Sequence, residues 1–153
     1  MSRFGTRLLA LAGGVATFLP AAAAGAATPK LGTYAGTTSQ GRPITFTVSN
    51  SAARCGQATP PCVRNLRFGL VEQCSEGSSL DVVFRPVGAI HVRRSGTFSR
   101  RFGLSTEPPL NVRGTFTMTT FGNGTLSDTE LIDTVAGRVN CFSGRVTFTV
   151  RKR

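Results

Sequence analysis

Apolar and polar positions alternate with a period of two along most of this chain. The clearest stretches are Ile44-Thr-Phe46-Thr-Val48, Leu66-Arg-Phe68-Gly-Leu70, Val112-Arg-Gly-Thr-Phe116-Thr-Met118 and Val146-Thr-Phe148-Thr-Val150. Leu80-Asp-Val82-Val-Phe84 and Ile90-His-Val92 follow the same rule more briefly. Successive side chains of a strand point to opposite faces, so each stretch has one apolar and one polar side. The apolar side is β-branched and aromatic, which strands favour, and no helical period occurs after residue 27. Turn residues separate the stretches at Gln40-Gly-Arg-Pro43, Ser75-Glu-Gly-Ser, Arg94-Ser-Gly96 and Ser143-Gly144. Asn123-Gly124 is the strongest turn signal, because a type I′ hairpin needs left-handed backbone at both central residues. It predicts a hairpin of residues 112–120 with 125–131. The chain is therefore all-β, a single antiparallel β-sandwich or small β-barrel of about eight or nine strands. Phe46, Phe68, Phe84, Phe98, Phe116 and Phe148 fall on the core side; Thr and Arg fall outward.

The first segment has a different pattern. Arg3 and Arg7 precede a largely apolar stretch, residues 8–19, which ends at Pro20 and an Ala-rich run with small residues at Ala24, Ala26 and Ala27. This is the plan of a secretory signal peptide. The apolar run is shorter than the ~20 residues of a membrane span. Residues 1–27 are expected to be removed, leaving 28–153 as one domain without a membrane span.

Export changes the meaning of the four cysteines, Cys55, Cys62, Cys74 and Cys141. An even number in an oxidising compartment suggests two disulfides, for which three pairings are possible. The short Pro-ended loop Cys55-Gly-Gln-Ala-Thr-Pro-Pro-Cys62 suits a local clasp, which favours Cys55–Cys62 with Cys74–Cys141. Loop-closure entropy values the long link at roughly 4 kcal/mol and the short one at ~2.5 kcal/mol. No C-x-x-C spacing occurs and the single histidine, His91, is distant in sequence from every cysteine, which argues against zinc.

Gly32-Thr-Tyr-Ala-Gly36, Gln40-Gly-Arg-Pro-Ile-Thr-Phe46, Val63-Arg-Asn-Leu-Arg-Phe68, Gly96-Thr-Phe-Ser99, Val112-Arg-Gly-Thr-Phe116 and Cys141-Phe-Ser-Gly-Arg-Val-Thr-Phe148 together resemble a group of small secreted bacterial all-β proteins of unknown function. The resemblance covers most of the chain after the leader. Its motifs are Gly, Phe and Cys, so it implies a fold and no activity or site residue.

Charge adds the one feature that points to a partner. The chain carries +11, with 16 Arg and two Lys against seven acids. Strand parity turns Arg67, Arg93, Arg113, Arg145 and Arg151 outward, a possible face for polyanions, which guanidinium groups bind bidentately. Candidate catalytic chemistry is thin. His91 lies on the polar side of its stretch beside Arg93 and Arg94, and no Gly-x-Ser-x-Gly elbow is present. Asp128, Glu130 and Asp133 form the main acidic group; Asp128 and Glu130 would share a strand face and could act as acid and base or hold Ca²⁺. The simpler expectation is a solvated strand end. Glu72, Glu76 and Asp81 surround a turn and are expected to be solvated likewise. Trp is absent and Tyr34 is the single Tyr, which disfavours sugar stacking; export and the lack of an aromatic platform disfavour nucleic acid.

The sequence thus describes an exported non-enzymatic binding or structural protein of the cell envelope, secreted or periplasmic, contacting anionic polymers through outward arginines. It needs no cofactor or metal, and no catalytic residue is assigned. The alternatives are a β-barrel carrying a small apolar ligand, or a hydrolase using Asp128 and Glu130.

Overall fold

Each alternating stretch forms a strand in the computed structural model, which describes residues 27–103, 109–134 and 137–153. The strands are β1 Gly32–Thr38, β2 Pro43–Ser49, β3 Cys62–Cys74, β4 Ser79–Phe84, β5 Ile90–His91, β6 Thr97–Phe102, β7 Leu110–Met118, β8 Phe121–Ser127, β9 Thr129–Thr134, β10 Gly137–Phe142 and β11 Val146–Lys152. One helical turn, α1, spans Ala52–Cys55. The expected leader lies outside the described residues except Ala27, whose N–H donates to the Phe116 carbonyl at 2.9 Å. No described helix is long and apolar enough to cross a membrane.

All eleven strands belong to one antiparallel sheet, ordered β6-β7-β8-β11-β1-β2-β3-β10-β9, with β4 and β5 on the other edge of β3. The sheet is curled. Phe46 of β2 and Phe98 of β6 are five strands apart in this order, about 24 Å if the sheet were flat, yet their ring centroids are 5.8 Å apart. Tyr34 and Phe116 complete the same ring cluster, so the inner face wraps one core. A single bridge, Val92 to Phe98, links the β5 side to β6, and the sheet does not close. The strand count exceeds the expected eight or nine because residues 129–131, expected to continue a hairpin, open a separate strand, and β10 carries no clear period-two pattern. Phe46, Phe68, Phe98, Phe116 and Phe148 are buried as parity requires; Phe84 is partly buried and stacks on Phe68.

The hairpin of β7 with β8 forms, but its turn is not Asn123-Gly124. Met118 pairs with Phe121, which leaves Thr119 and Thr120 as the loop, and Asn123 and Gly124 sit inside β8. Packing overrides the turn signal. Phe98, Gly114, Gly124 and Phe148 form one cross-strand row through β6, β7, β8 and β11. A Cβ at Gly114 would run into the Phe98 ring, and one at Gly124 into the Phe148 ring and the Arg113 carbonyl. The glycines are the space into which two core rings lie. Residues 129–131, expected in the same hairpin, instead open β9, which pairs only with β10 at the far end of the sheet.

Candidate functional site

Two inward rows of this sheet end in a carboxylate. On β3, Leu66, Phe68 and Leu70 face the core, and Glu72 is the next inward position. On β8, Leu126 faces the core and Asp128 follows at the corner where the chain leaves β8 for β9. Those strands are remote in sheet order, but the curl brings their ends together. Glu130, two residues along β9, joins them: one ligand-type oxygen of each of the three lies within 4.8 Å of the others. Glu72 is 0% exposed and Asp128 7%, whereas Glu130 is exposed. Asp128 and Glu130 line a groove of about 570 Å³ whose walls include Phe84, Pro86, Phe102 and Leu110, with Arg85 and Arg138 also lining it. Glu72 lies behind that lining.

Hydrogen bonds and a disulfide brace this cluster. The Asp128 N–H donates to Ser143 Oγ at 2.8 Å, and the Ser143 N–H donates to the Asp128 carbonyl at 3.1 Å. The Cys74–Cys141 disulfide joins β3, two residues beyond Glu72, to β10, where Cys141 pairs with Glu130. Gln40 occupies the edge of β3 just before Glu72: its amide accepts from the Val71 N–H at 2.9 Å and donates to the Val71 carbonyl at 2.8 Å, as a strand neighbour would.

Burial dominates the electrostatics. Apart from the Asp128 carboxyl, no hydrogen-bonding group of the described chain reaches either Glu72 oxygen. Loss of solvation pushes the Glu72 carboxyl up to about 8, reinforced by a hydrogen bond with the Asp128 carboxyl and by the charges of Asp128 and Glu130. Burial also raises Asp128, opposed by its bonds to Glu72 and to the Thr129 backbone. Two carboxylates have no proton to donate, so a Glu72–Asp128 hydrogen bond exists only when one proton is shared between them.

A second, basic pocket of about 470 Å³ lies between α1 with its following loop and residues 86–89. Arg54, Arg64 and Arg100 line it together with Asn65 and Gln57. A β-bulge sets up Arg64. Three steps of β3, Arg64 to Arg67, oppose two steps of β2, Thr45 to Thr47, and Asn65 takes a left-handed conformation with φ 51°. In a regular, unbulged strand Arg64 would share the core parity of Leu66. Arg100 is held against residues 88–89, donating to the Ala89 carbonyl at 2.6 Å with its guanidinium 4.9 Å from the Phe102 centroid. The Cys55–Cys62 disulfide closes the loop on the other wall. His91 pins that loop: its Nδ1–H donates to the Thr59 carbonyl at 2.7 Å.

The five arginines expected to face outward, Arg67, Arg93, Arg113, Arg145 and Arg151, are all exposed. They stand on separate strands and turns, and four strands lie between Arg113 on β7 and Arg67 on β3. Both expected disulfide pairs, Cys55–Cys62 and Cys74–Cys141, are present. Asp128 is not the solvated strand end expected, because the corner after β8 turns it inward. Glu72, expected to be solvated beside a turn, is fully buried. Its signal was parity, since it continues Leu66, Phe68 and Leu70. The meeting of Arg54, Arg64 and Arg100 has no such signal, because it depends on a bulge and a disulfide loop. Asp133 ion-pairs with Arg138 at 3.0 Å on the surface. Tyr34 is fully buried, so it offers no stacking surface for sugars.

The chain matches no family model, no curated protein and no solved structure.

Proposed function

We propose that this chain is an exported, non-enzymatic binding or structural protein of the cell envelope that engages anionic polymers. Arg54, Arg64 and Arg100 would be the specific seat, and the outward arginines would supply diffuse attraction. The observation that supports this best is the distribution of charge. Only two ion pairs form among the described residues, Arg42–Asp81 at 2.6 Å and Arg138–Asp133 at 3.0 Å, and neither involves a pocket arginine. Three acids are gathered instead in the Glu72 cluster. The remaining guanidinium groups are left to neutralise something else, and a bidentate fork suits phosphate or carboxylate. Two disulfides accord with an oxidising compartment.

The test is co-sedimentation of the purified protein with isolated envelope material. Binding should be strong at low salt and fade at high salt, since exposed charges are screened. Replacing Arg54, Arg64 and Arg100 together with Ser should weaken it about tenfold or more, while replacing Arg113 alone should have little effect. Binding indifferent to salt, or absent, would overturn the reading.

One observation favours a second reading, a hydrolase: Asp128 and Glu130 both line the groove. The burial of Asp128 weighs against it, because acid and base must both reach the substrate. The carrier reading has less behind it, since the space inside the curl holds Tyr34, Phe46, Phe98 and Phe116.

A further inference from the structure

We propose that Glu72, Asp128 and Glu130 form a binding site for a hard divalent cation of the Ca²⁺ class. The three residues come from β3, the β8–β9 corner and β9, so the fold rather than local sequence assembles them. Acidic groups often lie near one another on a surface without consequence. This cluster differs because its innermost member, Glu72, is 0% exposed and, apart from the Asp128 carboxyl that faces it, its oxygens meet no donor from the described chain. A carboxylate taken out of water without a compensating positive charge is strongly disfavoured. Neither of the ion pairs among the described residues includes a member of the cluster, so no described Lys or Arg lies within ion-pair distance of it.

The donor set selects the ion. All three donors are carboxylate oxygens; the four cysteines are tied up in disulfides and His91 faces the Thr59 loop, so thiolate and imidazole are absent. Oxygen-only sites suit Ca²⁺, Mg²⁺ or Mn²⁺ rather than zinc. Oxygens on opposite sides of Ca²⁺, bound at about 2.3–2.6 Å each, are about 4.6–5.2 Å apart, whereas around Mg²⁺ they are about 4 Å apart. The three oxygens lie within 4.8 Å of one another, near enough to share one ion, and Mg²⁺ gives up its waters too reluctantly to favour an enclosed set of carboxylates. The groove gives it a way in: an ion would meet Glu130 and Asp128 from the solvent side and Glu72 at the back. The Ser143 bonds and the Cys74–Cys141 link hold the donors in place, which limits the ordering needed on binding.

The experiment is calorimetric titration of the purified protein with Ca²⁺ alone and, separately, Mg²⁺ alone, paired with thermal melting under the same conditions. Ca²⁺ is expected to bind one site with Kd of about 10⁻⁴–10⁻³ M, the range of extracellular Ca²⁺ modules, and to raise Tm; Mg²⁺ is expected to bind more weakly. E72Q should abolish both responses, and E130Q, at an exposed position that cannot threaten folding, should weaken them about tenfold. The triple arginine variant should respond as the unaltered protein does, so the failure of one proposal leaves the other standing. No heat and no Tm shift up to about 10 mM Ca²⁺ would overturn the assignment, as would responses from E72Q and E130Q equal to that of the unaltered protein.

Discussion

Glu72 stands where the inward row of β3 calls for another leucine. At the residue scale this makes it both the most costly side chain of the core and the most informative. Its carboxyl is raised from 4.5 in the unfolded chain to about 8 by burial, with Asp128 and Glu130 facing it. A raised acid holds its proton better when folded, so its contribution to stability is complete below about pH 4.5 and is lost as pH climbs towards 8. In the presence of chelator, Tm should therefore fall between pH 5 and pH 8. The loss is on the order of a few kcal/mol, less whatever the shared proton with Asp128 relieves. Glu72→Gln keeps the shape and removes the ionisation. It should flatten that fall and leave the protein more stable than the original at pH 8, which melting curves across pH would test. Equal pH dependence in the two proteins would contradict the burial of an uncompensated carboxyl. The residue was legible from alternation. What alternation could not convey was that the strand stays buried beyond Leu70, because that depends on Asp128 arriving from elsewhere in the chain.

Elements were read well as strands and poorly as connections. The alternating stretches became β2, β3, β4, β5, β7 and β11, because period two is a property of the extended backbone itself. Asn123-Gly124 failed as a turn because a local preference worth a few kcal/mol at most met a packing requirement. The Phe148 ring occupies the place of a Cβ at Gly124. This gives a pair of opposed expectations. Gly124→Ala should cost about 1–3 kcal/mol by overpacking the row Phe98-Gly114-Gly124-Phe148. Asn123→Thr, at an exposed strand position, should change stability by no more than about 0.5 kcal/mol. A type I′ turn at these residues would reverse the second outcome, since Thr there would be strained. Denaturant unfolding of both variants distinguishes the cases. The bulge at Asn65 belongs to the same scale: one left-handed residue moves Arg64 from the core face to the wall of the basic pocket.

Across the whole molecule, curvature decides what meets what. Rolling the eleven-stranded sheet brings Phe46 against Phe98, carries Asp128 to Glu72, and gathers acids on one side while leaving most arginines without a carboxylate. The long-range disulfide secures that arrangement at its looser end, where β10 meets β3 only through Cys141–Cys74 and Phe142–Gln73. Replacing Cys74 and Cys141 together with Ser should cost about 2–5 kcal/mol. It should also weaken any Ca²⁺ response, because β9 and β10 would no longer hold Glu130 beside Glu72. Replacing Cys55 and Cys62 should instead affect the arginine pocket and leave the Ca²⁺ response intact. Melting of each double variant with and without Ca²⁺ separates the two.

Alternation, turn residues and cysteine content by themselves determined an all-β chain with a one-sided aromatic core, two disulfides and outward arginines. These are local properties: backbone period, rotamer preference and redox chemistry act on neighbouring residues or on composition. Tertiary structure alone decided that eleven strands share one curled, unclosed sheet, that Asn123-Gly124 lies within a strand, and that Arg54, Arg64 and Arg100 surround one pocket. It alone brought Glu72 to Asp128 and Glu130. Those outcomes depend on which inner faces pack together, and packing is settled by contacts between residues far apart in the chain.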